Sequence, residues 1–183
     1  FIGLNLLRRL LAEDLHVTVV DPQPINPAAV TIEDVDCHET ISAEALRDSS
    51  VVFHVAGSTE PASSNTHLRE DMTGTVGLTL EVIEAATAAG VERLIHVSSG
   101  GTIYGAGAVV PTPETAVPDP LCAYGISKLA AERHVQLAER LHGLRGFNLR
   151  VSNPYGAWQD PQRGQGVVNA FLYRGLRGQP VEL

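Results

Sequence analysis

Apolar residues recur at helical spacing at the start of the chain, at Ile2, Leu6, Leu7, Leu10 and Leu11, and give way to the β-branched run His16-Val-Thr-Val-Val20, which stops at Asp21-Pro22. A 3.6-residue period followed by a short apolar run predicts a helix over 2–11 and a buried strand over 16–20. The alternation continues. The pattern predicts a weaker strand over 30–35, a short helix over 42–47, and a strand over 51–57 that halts at Gly57. A long helix over 67–89 closes at Gly90 and is followed by a strand over 93–97. After a proline-rich loop come a helix over 124–141 that stops at Gly143, a strand over 146–151 and a helix over 166–176. Strands separated by helices of this length need crossover connections, so the fold class is α/β with a doubly wound parallel sheet. In such sheets ligands sit at the carboxyl ends of the strands, near the point where strand order reverses.

Composition narrows the function. With 183 residues, 44% of them hydrophobic and 5% aromatic, the chain can bury one domain and begin a second. Its formal net charge of -8 offers no basic face to a nucleic acid or an anionic membrane, so an anionic ligand must be held locally. Cys37 and Cys122 are too few for a disulfide framework, the seven histidines form no recognised metal-binding spacing, and no apolar run is long enough to span a bilayer. The expectation is a cytoplasmic protein with no metal. The chain opens inside a helix and stops in mid-strand, so further residues are expected ahead of Phe1 and after Leu183.

Among thirteen cationic side chains only Lys128 is a lysine, and it stands four residues after Tyr124 on the helix expected over 124–141. An i, i+4 pair shares a helix face about 5–6 Å apart, which places an ammonium beside a phenol. With the two head groups at ~4 Å and an effective dielectric of ~20, that charge is worth ~4 kcal/mol, enough to draw a tyrosine toward use as a general base. Unusual residues gather at other strand ends: Asp21, Asp34, Ala56-Gly57, Ser98-Ser99 and Asn153. Asp21 lies eighteen residues after Gly3, where a carboxylate would accept hydrogen bonds from an adenosine ribose, although an Asp-Pro turn also explains it. No Lys or Arg occurs from Glu13 through Leu46, which favours NAD over NADP. His54 and His96, inside apolar strands, read as satisfied core histidines.

With Phe1-Ile-Gly3, Asp21, Ala56-Gly57, Ser98-Ser-Gly-Gly-Thr-Ile-Tyr-Gly105, Tyr124-x-x-x-Lys128 and Arg150-Val-Ser-Asn-Pro-Tyr-Gly156 in order, the chain resembles the extended short-chain dehydrogenase/reductase family. Within it the likeness is to NAD-dependent nucleotide-sugar 4-epimerases of the UDP-glucose 4-epimerase type. The resemblance implies a Rossmann-type NAD-binding domain over 1–153 and the start of a substrate-binding region over 154–183. It implies that Phe1, Ile2 and Gly3 end the glycine-rich loop, with the first strand and the first two glycines expected ahead of Phe1, and that Asp21 binds the adenosine ribose. Asp34 and Val35 would flank the adenine, and Val55, Ala56 and Gly57 would line the pyrophosphate and nicotinamide ribose. Asp71, where the family usually has Asn, and Ser98 join the cofactor set. Tyr124 is then the base, Lys128 binds the nicotinamide ribose and lowers the Tyr124 pKa, and Ser99 is the third catalytic hydroxyl, with Thr102 in reserve. Ser99, Tyr124 and Asn153 would touch a UDP-sugar substrate, and a homodimer would form through the helices over 67–89 and 124–141. A 4,6-dehydratase or reductase of the same family is the alternative enzyme. Gly101 and Thr102 occupy the places where dehydratases carry an Asp-Glu pair. A non-catalytic nucleotide-binding or dimerising module is the alternative from another class.

Overall fold

The computed structural model describes residues 1–25, 30, 35–57, 61–162 and 166–181. By contact the chain forms two compact units, one of Phe1–Cys37 with Asn153–Leu183 and one of His38–Ser152. In the first, helix α1 (Ile2–Leu11) turns one apolar stripe onto strand β1 (Val17–Val20), which lies beside β2 (Val35–His38). Leu7 and Val30 are its buried centre, with Leu4, Leu11, Val17, Val19, Ile25 and Val35 packed around them. The Asn5 side-chain amide donates to the Ala157 carbonyl at 2.8 Å, and Asn169, on helix α6 (Val167–Leu176), donates to the Gly156 carbonyl at 3.0 Å. Both bonds hold the chain just after residue 153.

The second unit is a parallel sheet in the order β3 (Val51–His54), β4 (Arg93–Ser99), β5 (Arg145–Val151). Between β3 and β4 run α2 (Pro61–Ser64), α3 (Leu68–Met72), a π turn (Thr73–Gly77) and α4 (Leu78–Ala89); between β4 and β5 runs α5 (Ala123–His142). Both crossovers step the same way across the sheet, which puts their helices on one face, and α4 packs against α5. Alternation along the strands sends Leu94, His96 and Ser98 toward those helices, with their partners Gly146, Asn148 and Arg150 on β5. The opposite face carries Phe53, Ile95, Val97, Phe147 and Leu149. Of these, Phe53, Phe147 and Leu149 are 39%, 48% and 47% exposed.

Several elements depart from the expectation. Of the strand expected over 30–35, residues 31–34 lie outside those described; Val35 is in β2, which runs on to His38. The strand over 51–57 leaves the sheet after His54. The segment over 42–47 is a run of turns: Ala45 N–H donates to Ser42 Oγ and Leu46 N–H to the Ser42 carbonyl, then Asp48 enters the left-handed region at φ 65°. One turn is too short a nucleus to propagate against that residue. The helix over 67–89 is split by the π turn. Thr73-Gly-Thr-Val-Gly77 is poor helix-forming sequence, and Thr79 Oγ1 donates back to the Thr75 carbonyl at 2.7 Å. Among the described residues no helix is long and apolar enough to cross a membrane.

Candidate active site at the carboxyl ends of β3 and β4

The site begins where the chain enters α5. Cys122 is extended (φ −136°, ψ 158°), and Ala123 N–H donates to the Asn65 side-chain oxygen at 2.9 Å, which fixes the start of the helix. One turn in, Lys128 is only 5% exposed. Its ammonium donates to the Val97 carbonyl at 3.1 Å and lies 5.8 Å from the centroid of the Tyr124 ring. A Cβ placed on Gly57 would stand 3.6 Å from the same nitrogen, so the Ala56-Gly57 exit from β3 runs past it. Beside Lys128, Ser127 Oγ donates to Asp71 Oδ2 at 2.6 Å, and Asp71 is fully buried.

The hydroxyls arrive at the last residue of β4 and on the loop that follows it. Thr102 Oγ1 donates to Ser99 Oγ at 2.8 Å, so the two candidates for the third catalytic hydroxyl form one pair. Two glycines let this loop lie where it does. Gly100 N–H donates to the Val151 carbonyl at 2.8 Å, and a Cβ there would be 2.6 Å from the Arg150 carbonyl oxygen. A Cβ on Gly125, next to Tyr124, would be 2.7 Å from the Thr102 carbonyl oxygen. The loop is thereby laid on β5 at one point and on the first turn of α5 at another.

Electrostatically the pair differs from the expectation. Tyr124 was expected to be acidified by Lys128, yet its phenol is pushed above the ordinary tyrosine value, by burial first and then by Asp71 and Cys122. Burial outweighs the rest, the ammonium is directed to the Val97 carbonyl, and Asp71 sets a negative charge against phenolate formation. Burial draws Lys128 below the usual lysine range, with Asp71 opposing. Behind it His54 is pushed down to about 4 by burial and then by Lys128. His96 is pushed down to about 3 by burial, then Lys128, then His54. Their rings lie 5.2 Å apart. His54 Nε2 meets Thr79 Oγ1 at 3.0 Å and is the satisfied core histidine expected. Neither ring nitrogen of His96 meets a protein partner among the described residues, so that half of the expectation is corrected.

The remaining predicted residues are placed less tightly. Phe1, Ile2 and Gly3 form the start of α1, Val35 opens β2, and Asp34 lies outside the described residues. Asp21 follows β1, exposed, and its Oδ1 accepts the Gln23 N–H at 2.8 Å, so the turn reading of this residue is realised in the structure. Asn153, directly after β5, is exposed. Val55 leads from β3 toward Gly57, and Ser98 is buried in β4. Sequence reasoning passed over Ser127, Glu132 and Arg150. A signal for two of them existed: Glu132 continues the i, i+4 series of Tyr124 and Lys128, and Arg150 is a charge at an inward-pointing strand position. Among the described residues no group of three His, Cys, Asp or Glu side chains could hold a metal ion.

Comparison with known proteins places the whole chain in one family. The family model described as the NAD dependent epimerase/dehydratase family matches residues 1–183. A putative UDP-glucose 4-epimerase of Methanocaldococcus jannaschii is 31% identical over 189 residues, covering 98% of this chain and 61% of the relative. The structure of a UDP-glucose 4-epimerase with UDP-glucose from Thermotoga maritima superposes with a TM-score of 0.89 at 32% identity, covering 100% of this chain and 62% of that one. A Thermus thermophilus UDP-glucose 4-epimerase in complex with NAD gives a TM-score of 0.86 at 31% identity, covering 99% and 61%. The chain thus spans about six tenths of the length of these relatives, and its α/β architecture is theirs.

Proposed function

The chain belongs to the NAD dependent epimerase/dehydratase family, and on that premise we propose that it is an NAD-dependent nucleotide-sugar 4-epimerase, with a UDP-sugar as substrate. The observation that carries the reading is Lys128, an ammonium buried at the carboxyl end of β4, held by the Val97 carbonyl, one turn after Tyr124 and directly behind Gly57. These residues fit a dinucleotide. Gly57 brings backbone without a side chain beside an ammonium that keeps two further N–H donors for ribose hydroxyls; Val55 and Ala56 lead up to it from β3, and Ser98 follows Val97 in β4. In the other unit Phe1, Ile2 and Gly3 stand at a helix N-terminus and Asp21 directly follows β1, places suited to phosphate and ribose, whereas Val35 is the first residue of β2 and is assigned to the adenine from the resemblance alone. Residues 1–153 are assigned to the NAD domain and 154–183 to the start of the substrate region.

When bound, NAD supplies the hydride acceptor and donor for sugar C4 and a cationic ring. Tyr124 takes the C4 hydroxyl proton and later returns it. Because burial first and then Asp71 hold its phenol above the ordinary tyrosine value in the ligand-free chain, Tyr124 must release its own proton to solvent before it can act as the base, a loss that a cationic ring beside it would favour. Lys128 fixes the ribose, and the Ser99 hydroxyl, oriented by Thr102, donates to the developing C4 carbonyl. Exposed Leu80, Ile126, Leu137 and Leu141 on α4 and α5 support a homodimer through these helices, an assignment that a monomer in light scattering would remove. The two free cysteines are consistent with a cytoplasmic setting.

The test is interconversion of UDP-glucose and UDP-galactose by the full-length protein. Tyr124→Phe is expected to lower kcat by roughly 10²–10⁴-fold while retaining NAD. Turnover near the parent value would overturn the role of Tyr124, and stoichiometric release of a keto-sugar with NADH would favour a dehydratase or reductase.

A further inference from the structure

One charged cluster in this layer is left over by the reaction. Glu132, one turn after Lys128 on α5, is 1% exposed. Its carboxylate receives a two-pronged contact from Arg150 of β5, Nε to Oε1 at 2.9 Å and Nη2 to Oε2 at 2.7 Å. The third arm of the guanidinium, Nη1, donates to the Tyr104 hydroxyl at 2.7 Å, and the guanidinium carbon lies 4.9 Å from the Tyr104 ring centroid. The Glu132 carbonyl also accepts from Asn148 Nδ2 at 3.4 Å.

Tyr104 lies on the loop that follows Ser99 and carries Thr102, and the same Arg150 backs that loop with its main chain at Gly100. We infer that Glu132, Arg150 and Tyr104 form a clamp that sets the Ser99–Thr102 hydroxyl pair against Tyr124; they are positioning residues for the proposed C4 chemistry. Side chain and backbone of one residue grip the loop from two sides, and Glu132 refers that grip to the helix bearing Tyr124 and Lys128. A planar fork is required at the centre, since an ammonium cannot reach two carboxylate oxygens and a phenol at once. The inference rests on the epimerase reading, because it assigns the clamp to a reaction at Tyr124.

The experiment compares Tyr104→Phe, Arg150→Lys and Glu132→Gln in the full-length protein. It reads kcat and KM for UDP-galactose, retained NAD, thermal midpoint, and amide hydrogen exchange across residues 99–105. Tyr104→Phe removes only a hydroxyl and serves as the variant that keeps the fold. It is expected to keep its NAD and its KM, to lose kcat by about 10-fold or more, and to exchange faster across 99–105, since displacement of a reacting group by an ångström is worth roughly 10²-fold. Glu132→Gln is expected to lose more, and Arg150→Lys to rescue neither variable. A Tyr104→Phe kcat within about threefold of the parent, where a positioning role calls for tenfold, would overturn the clamp, as would unchanged exchange across 99–105. Absence of epimerase activity in the parent protein would overturn the functional reading alone, and the exchange measurement would still decide the clamp.

Discussion

Lys128 and Arg150 enter the same layer, between α5 and its sheet, one helical turn apart in the contacts they make, and the protein treats them in opposite ways. Arg150 meets a full carboxylate with matched fork geometry and a phenol besides. Lys128 is given a neutral carbonyl, while the nearby Asp71 carboxylate is engaged by Ser127. Around Lys128 the polar groups are under-served as well: Ser98 Oγ and both ring nitrogens of His96 are buried without a protein partner among the described residues. A compensated charge ties elements together, whereas a buried charge left partly uncompensated is kept because something else uses it.

The largest effect should separate the two cations directly. Glu132→Ala strands Arg150 and is expected to lower stability by about 3–5 kcal/mol, while Lys128→Met is expected to stay within about 1 kcal/mol of the parent or exceed it. Urea unfolding of both variants checks this. Equal losses would erase the distinction between strut and site.

Next comes the dependence on acid. His54 and His96 are neutral in the fold, with pKa values pushed down to about 4 and about 3 from 6.5. Their contribution is therefore fully present above pH 6.5 and is lost as pH falls from 6.5 toward 4 and then 3, because the unfolded chain binds protons that the fold refuses. The slope is about 1.4 kcal/mol per pH unit for each histidine. His96→Leu should remove one proton's worth of that slope in unfolding titrations between pH 4.5 and 6; a parallel curve would mean that His96 takes up a proton in the native state.

The smallest effect sharpens the functional side. Asp71 raises both Tyr124 and Lys128, so Asp71→Asn should shift the rise of kcat with pH to lower pH. A profile that stays in place, or moves up, would show that Asp71 does not act on the phenol.

Much of the layout was legible because it rests on period and punctuation. The alternation of short β-branched runs with amphipathic stretches gave the strands and helices of the sheet, and the four-residue step from Tyr124 to Lys128 put both on one face. What escaped depends on direction. No spacing says how far Tyr124 is buried, that Asp71 stands near it or that the Lys128 ammonium turns to the Val97 carbonyl, so the sign of the Tyr124 shift came out reversed. The π turn escaped because apolar residues continue through it, and only the cluster Thr73-Gly-Thr-Val-Gly77 marks it. The Glu132–Arg150 pair was hidden by the habit of reading charge as surface, although Arg150 falls on the inward register of β5. Asp21 carried two readings in the sequence, and its bond to Gln23 realises the turn.

Lys128 is the sole lysine among these 183 residues. An acylating reagent therefore has one side-chain amine to find, and that amine is buried and less basic than usual. A lysine-specific protease likewise has one bond to cut, inside α5. Modification or cleavage at that position counts only those molecules in which α5 has lifted from the sheet, so the residue that the chemistry retains also serves as a built-in gauge of how often the site opens.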